Sequence, residues 1–164
     1  MKRLFAFMFP MFLLGGCAML TEDRFVVKPS ALDYAQFRTS RPSPVDGKPE
    51  VIRLDLSGSG YLEMTRGRSE RIGDGFWKPS ENPDWQDLQR SHAMLGEADT
   101  VAVFQQLVNA GHFDRGPTGK RHPPPHDLAV LLAIGFKKGV VLTSRADYVD
   151  LFNHLLERVQ AENR

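Results

Sequence analysis

Cysteine is nearly absent from this sequence, with one residue, Cys17, in a chain of 164. A disulfide framework is therefore excluded. An excess of either charge is missing too: 21 Lys plus Arg stand against 20 Asp plus Glu. That balance removes the electrostatic footprint of a nucleic-acid binder, so no nucleic-acid partner is expected. No apolar run approaches the ~20 residues of a membrane-spanning helix. The signatures G-x-S-x-G and H-E-x-x-H do not occur, and Gly58-Ser59-Gly60 lacks the spacing of a nucleophile elbow. What is present is ordinary: 41% hydrophobic and 25% charged residues, the composition of one globular domain rather than a disordered or collagen-like chain.

The apolar residues are unevenly spread. Lys2 and Arg3 precede an apolar run from Leu4 to Leu14, followed by Gly15 and Gly16. Eleven residues are about half of what a permanent span needs, and the pattern is that of a signal peptide over residues 1–16. At its end, Leu14-Gly15-Gly16-Cys17 resembles the lipobox of bacterial lipoproteins: an aliphatic residue, two small residues and the cysteine. The resemblance implies a diacylglyceryl thioether on Cys17, cleavage after Gly16, and acylation of the new amino terminus by a palmitate-type chain. Two or three acyl chains hold a membrane durably where one holds it marginally. The single thiol is then consumed by lipid, which leaves none for catalysis. Ala18 stands where an aspartate would retain a lipoprotein in the inner membrane, so the resemblance implies the outer membrane, facing the periplasm.

Loss of Lys2 and Arg3 leaves 19 basic against 20 acidic residues in a mature chain of 148. Residues 17–48 read as a lipidated N-terminus and tether, because Pro29, Ser30, Pro42, Ser43, Pro44 and Gly47 interrupt every periodic pattern. Within it, Arg24–Val27 suggests a short strand and Ala31–Phe37 a helical turn. The domain is expected over 49–164. Ile52, Leu54 and Leu56 alternate with Arg53 and Asp55, Ser57–Gly60 turns the chain, and Tyr61–Thr65 returns: a β-hairpin. An insertion from Arg66 to Asp84 follows, then a strand at Trp85–Met94. Gly96 opens a helix to Ala110 with Val101, Phe104, Leu107 and Val108 inward. Leu128–Ile134 reads as a central strand, and Val140–Thr143 pairs with it across a turn at Phe136–Gly139. Ser144 with Asp147 marks the start of a last helix, Arg145–Ala161, whose stripe is Tyr148, Phe152, Leu155 and Val159.

The order is hairpin, helix, hairpin, helix. It predicts an α+β two-layer sandwich, an antiparallel sheet of four to five strands with two helices on one face. In this order, and in its Ser-Gly-rich first turn, the chain is similar to small emfourin-like protease inhibitors, which implies a protein partner of protease type.

Candidate site residues are few. Gly116-Pro117-Thr118-Gly119-Lys120 has Asp114 where a phosphate loop needs its first glycine and Arg121 where it needs Ser or Thr. His122 and His126 are separated by three prolines, whose extended conformation places the rings about 12 Å apart, so no metal site is expected. His92, His112 and His154 read as surface or half-buried residues. Arg66, Arg68, Glu70 and Arg71 read as a solvated charged turn. Phe76, Trp77 and Trp85 lie on a proline-stiffened loop and are the candidate interaction residues. The two tryptophans can alternatively fold over the sheet face that the helices leave open. No cofactor is expected. Two function classes result: a lipid-anchored, non-catalytic binding protein with an envelope protein partner, or an envelope hydrolase using Asp74 with Asp84 or Glu81. For the first, replacing Trp77 and Trp85 by Ala should leave the domain folded and abolish its cross-link to an envelope partner. A large fall in thermal stability instead would make both rings core.

Overall fold

The computed structural model describes residues 26–69, 85–114 and 128–163. Their order is β1 (Tyr34–Pro42), β2 (Pro49–Ser57), β3 (Tyr61–Ser69), β4 (Trp85–Met94), α1 (Glu97–Asn109), β5 (Leu128–Ile134), β6 (Lys137–Thr143) and α2 (Ala146–Glu162). The strands form one antiparallel sheet in the order β4-β3-β2-β1-β5-β6. The class is α+β, as expected, but the sheet has six strands where four to five were expected.

The additional strand is β1, and it corrects the N-terminal reading. Residues 34–42 form a strand, not the helical turn expected at Ala31–Phe37: all nine pair with β2 on one edge, and Tyr34–Arg38 pair with β5 on the other. The two-sided pairing satisfies the N–H and C=O groups of a segment with little apolar content of its own. Ala35 and Phe37 point into the core, while Arg38 and Ser40 are buried on the opposite face. A strand now precedes the expected hairpin, helix, hairpin, helix.

The core collects one alternate set of strand residues, among them Phe37, Leu54, Leu62 and Val130, with the stripes of both helices. Register accounts for this: Phe37 lies opposite Leu54 and Val130, and Leu54 opposite Met64, so inward side chains form continuous rows. From α2 the core takes Tyr148, Phe152, Leu155 and Val159 as expected, with Leu151 and Leu156 beside them. From α1 it takes Val103, Phe104 and Leu107; Thr100 is buried on the same helix, whereas Val101 and Val108 are only half-buried. Gly96 is the N-cap of α1, as expected. For α2 the N-cap is Arg145, not Ser144, and the hydroxyl of Thr143 accepts from the Arg145 N–H at 3.1 Å.

β3 runs on to Ser69, so Arg66 and Arg68 sit in a strand and not in a turn. Arg66 pairs with Glu50 of β2 at 2.6 Å, and Arg68 pairs with Asp46 at 2.7 Å, which binds the β1–β2 loop to β3.

At the other end of the sheet a single aspartate, through its carboxylate and its backbone carbonyl, joins three segments. Asp33 Oδ2 accepts from the Ser30 N–H at 2.6 Å and Oδ1 from the Gly135 N–H at 2.7 Å, while its carbonyl accepts from the Gly58 N–H at 2.7 Å. Burial pushes this carboxyl's pKa up. The backbone donors and the Ser30 side chain outweigh that and hold it below the usual carboxylate value. Close approach governs the same place: a Cβ at Gly58 would stand 1.9 Å from the Ser30 carbonyl oxygen, so only glycine fits.

Asp33→Ala should lower unfolding stability by about 1.5–3 kcal/mol in urea titrations, since two backbone N–H groups lose a charged acceptor. The contribution should be whole above the unfolded carboxylate value of about 3.9 and be lost as pH falls through the lower folded value.

Candidate functional site

The sheet end built around Asp33 carries the most distinctive surface among the described residues. Val27 is buried, and its N–H donates to Gln105 Oε1 of α1 at 2.8 Å, which fixes where the chain joins the domain. Ser30 to Asp33 then turns into β1, leaving Leu32 90% exposed. Across the Asp33–Gly135 hydrogen bond lies the β5–β6 turn, where Gly135 takes φ +56° and Phe136 is fully exposed. The turn occupies Gly135 and Phe136, and β6 begins at Lys137, earlier than the expected Val140.

Beside this turn is a cleft of about 540 Å3 lined by Val108, Phe113, Asp114, Ile134, Gly135, Phe136 and Lys137. Its walls are mainly apolar, and the Lys137 ammonium lies 5.9 Å from the centre of the Phe113 ring. The arrangement suits an apolar group beside a cation.

The cleft wall is held from below by His112. This histidine is fully buried, which corrects its reading as a surface or half-buried residue. Its Nε2 lies 3.0 Å from the Gly139 carbonyl oxygen of β6 and its Nδ1 3.4 Å from the Tyr148 hydroxyl of α2. A carbonyl can only accept, so Nε2 carries the proton and Nδ1 accepts from Tyr148. Gly139 makes this approach possible, since a Cβ there would stand 3.2 Å from the imidazole Cδ2. Burial lowers the His112 pKa, against the opposing effect of the Gly139 hydrogen bond. Burial likewise raises that of Tyr148, with Arg145 opposing and Asp147 adding to it. Both groups are neutral at pH 7 and act as ties between the end of α1, β6 and α2. The other two histidines expected at the surface, His92 and His154, are exposed.

One part of the second sheet face is polar. Gln36 Nε2 donates to Asp55 Oδ1 at 2.6 Å, Arg53 pairs with Asp55 at 2.7 Å, and Tyr61 stacks on His92 at 5.9 Å. Further along this face Arg38, Val51, Thr65, Ala129 and Leu131 are buried.

Most residues singled out from sequence lie outside the described residues: Cys17, Phe76, Trp77, Asp74, Glu81, Asp84, the 116–120 loop, His122 and His126. The backbone of Trp85 opens β4 opposite Ser69. Among the described residues, no three His, Cys, Asp or Glu side chains are grouped to hold a metal, and no helix is long and apolar enough to cross a membrane. Sequence reasoning missed the roles of Asp33, Leu32 and Phe136. One signal was there to be read: Phe136 is a large apolar residue between Gly135 and two lysines, at a turn where polar residues are the rule.

No protein-family model matches this chain, and no curated protein matches it in sequence.

Protonating His112 in the fold would break its hydrogen bond from Tyr148 and charge a buried ring. Its folded pKa lies below the unfolded value of about 6.5, so its contribution is whole above that pH and is lost as pH falls through the folded value. His112→Gln should be less stable at pH 7.5, with a smaller drop in Tm between pH 7.5 and 5.5 than the parent protein. Parallel pH dependence in thermal scans of the two proteins would assign the acid sensitivity elsewhere.

Proposed function

We propose that this protein is a lipid-anchored component of the bacterial cell envelope, of non-catalytic binding type, held in the outer membrane through Cys17 and engaging an envelope protein partner. The observation that carries it is the lipobox-like Leu14-Gly15-Gly16-Cys17 directly after a charged and apolar leader, with the chain's only cysteine at the required position.

The domain suits such a role. Among the described residues, the titratable groups with displaced pKa values are engaged internally: Asp33 with backbone N–H groups, His112 with Gly139 and Tyr148, and Arg66 with Glu50. We read the architecture as a two-layer sandwich with both helices on one sheet face, because their buried stripes join one alternate set of strand residues in a single core. The other face is then the partly polar one, with Arg53, Asp55, Glu63 and His92 along it.

The test is Cys17→Ala in a bacterial host that processes lipoproteins. The parent protein should partition with membranes and yield an N-terminal peptide carrying the mass of the acyl chains. The variant should accumulate as unprocessed precursor and lose the acyl mass. Normal processing of the variant would overturn the reading.

A further inference from the structure

The exposed apolar residues at the Asp33 end of the sheet are grouped. The Asp33–Gly135 hydrogen bond brings the segment that holds Leu32 against the turn that holds Phe136, and both side chains stand in solvent. Val26, where the described chain begins, is 67% exposed, and the next residue is tied to α1 by the Gln105 bond. Lys28, Lys137 and Lys138 are exposed around these residues. The acidic groups nearby are Asp114 in the cleft wall, Glu97 beside Val26 and Lys28, and Asp33, whose oxygens are already occupied by backbone donors. A fully exposed Phe and Leu flanked by amines match the interfacial zone of an anionic bilayer, where aromatic and aliphatic side chains enter the headgroup boundary and lysines meet lipid phosphates.

The length of chain outside the described residues says which surface meets this tip. If Cys17 carries the anchor, eight residues separate it from Val26, and the nine chain steps reach at most about 30 Å. The expected tether to Lys48 would have allowed roughly three times that reach and a freely oriented domain. With the chain joining the domain at Val27, the Asp33 end stays within that reach of the anchor.

We propose that Leu32 and Phe136, flanked by Lys28, Lys137 and Lys138, form a docking tip that inserts into the anionic lipid surface carrying the anchor. The domain then stands on the membrane with its strands pointing away, and the β1–β2 loop at Val45 is the remote end. The nine residues of β1 put about 30 Å between them. This inference rests on the lipid anchor proposed above.

The experiment uses the full processed protein reconstituted in vesicles of phosphatidylcholine with phosphatidylglycerol. Phe136→Cys, Leu32→Cys and Val45→Cys each supply one free thiol, because Cys17 is blocked by its lipid, and each takes an environment-sensitive dye. Nitroxide-labelled lipids should quench the dye at 136 and 32 at least threefold more than at 45. Lys137→Glu with Lys138→Glu should bring the quenching at 136 down to the level seen on pure phosphatidylcholine. Flotation with vesicles but equal quenching at 136 and 45 overturns the docking tip and leaves the anchor standing. Failure to float, with no acyl mass on Cys17, overturns the anchor and the tip with it. Unequal quenching that survives the lysine substitutions overturns the anionic-lipid assignment.

Discussion

The structure depends on β1 being paired along both edges. Without it, β2 and β5 would each present an open row of N–H and C=O groups, and the two halves of the sheet would have no common hydrogen-bonded strand. The pairing is asymmetric in chain distance. β2 follows β1 through a short loop, whereas Tyr34 meets Ala133 only after β2, β3, β4 and α1 have been laid down. Such a long-range contact has a large loop-closure cost, and the buried neighbours Ala35, Phe37, Val130 and Leu132 offset it.

The strand's first turn decides what the surface looks like. Asp33 binds Ser30 on its own segment and Gly135 on the last hairpin, so the register of β1 against β5 also sets the position of the Phe136 turn. His112 acts in parallel, joining the end of α1 to Gly139 of the same hairpin and to Tyr148 of α2. Between these two ties lie the apolar cleft and the exposed Phe136. Energy spent on holding β5 and β6 in place therefore also holds the candidate surface rigid, which lowers the entropy lost when anything binds there.

Strong periodicity was legible. The β2–β3 hairpin, the start of α1, β5 and the stripe of α2 follow from alternation, a turn sequence, a continuous apolar run or helical spacing, whereas the alternation of β4 is weak. β1 was not, because YAQFRTSRP holds only Ala35 and Phe37 at inward positions, carries Arg38 and Ser40, and ends at Pro42. Its strand state comes from two neighbours supplying hydrogen-bond partners, and no window of local sequence contains those neighbours. The same reason explains His112. A lone histidine after a helix has no pattern, and its burial follows from Gly139 and Tyr148 arriving from other elements. The shift of the α2 cap from Ser144 to Arg145 is a smaller case, decided by how Thr143 leaves the sheet.

The division between the two sources of information is physical. The sequence alone determined what depends on neighbouring residues: the elements with clear periods, the absence of disulfides and of charge bias, and the charged and apolar run with small residues before Cys17, on which the proposed anchor stands. Tertiary structure alone decided what depends on residues far apart in the chain: that residues 34–42 form a central strand, that the sheet has six strands, that Asp33 and His112 are buried ties, and that Leu32 and Phe136 share one end. A period of two or of 3.6 is set by the local backbone, whereas a strand's second partner or a buried polar group's acceptor exists only once the chain has closed on itself.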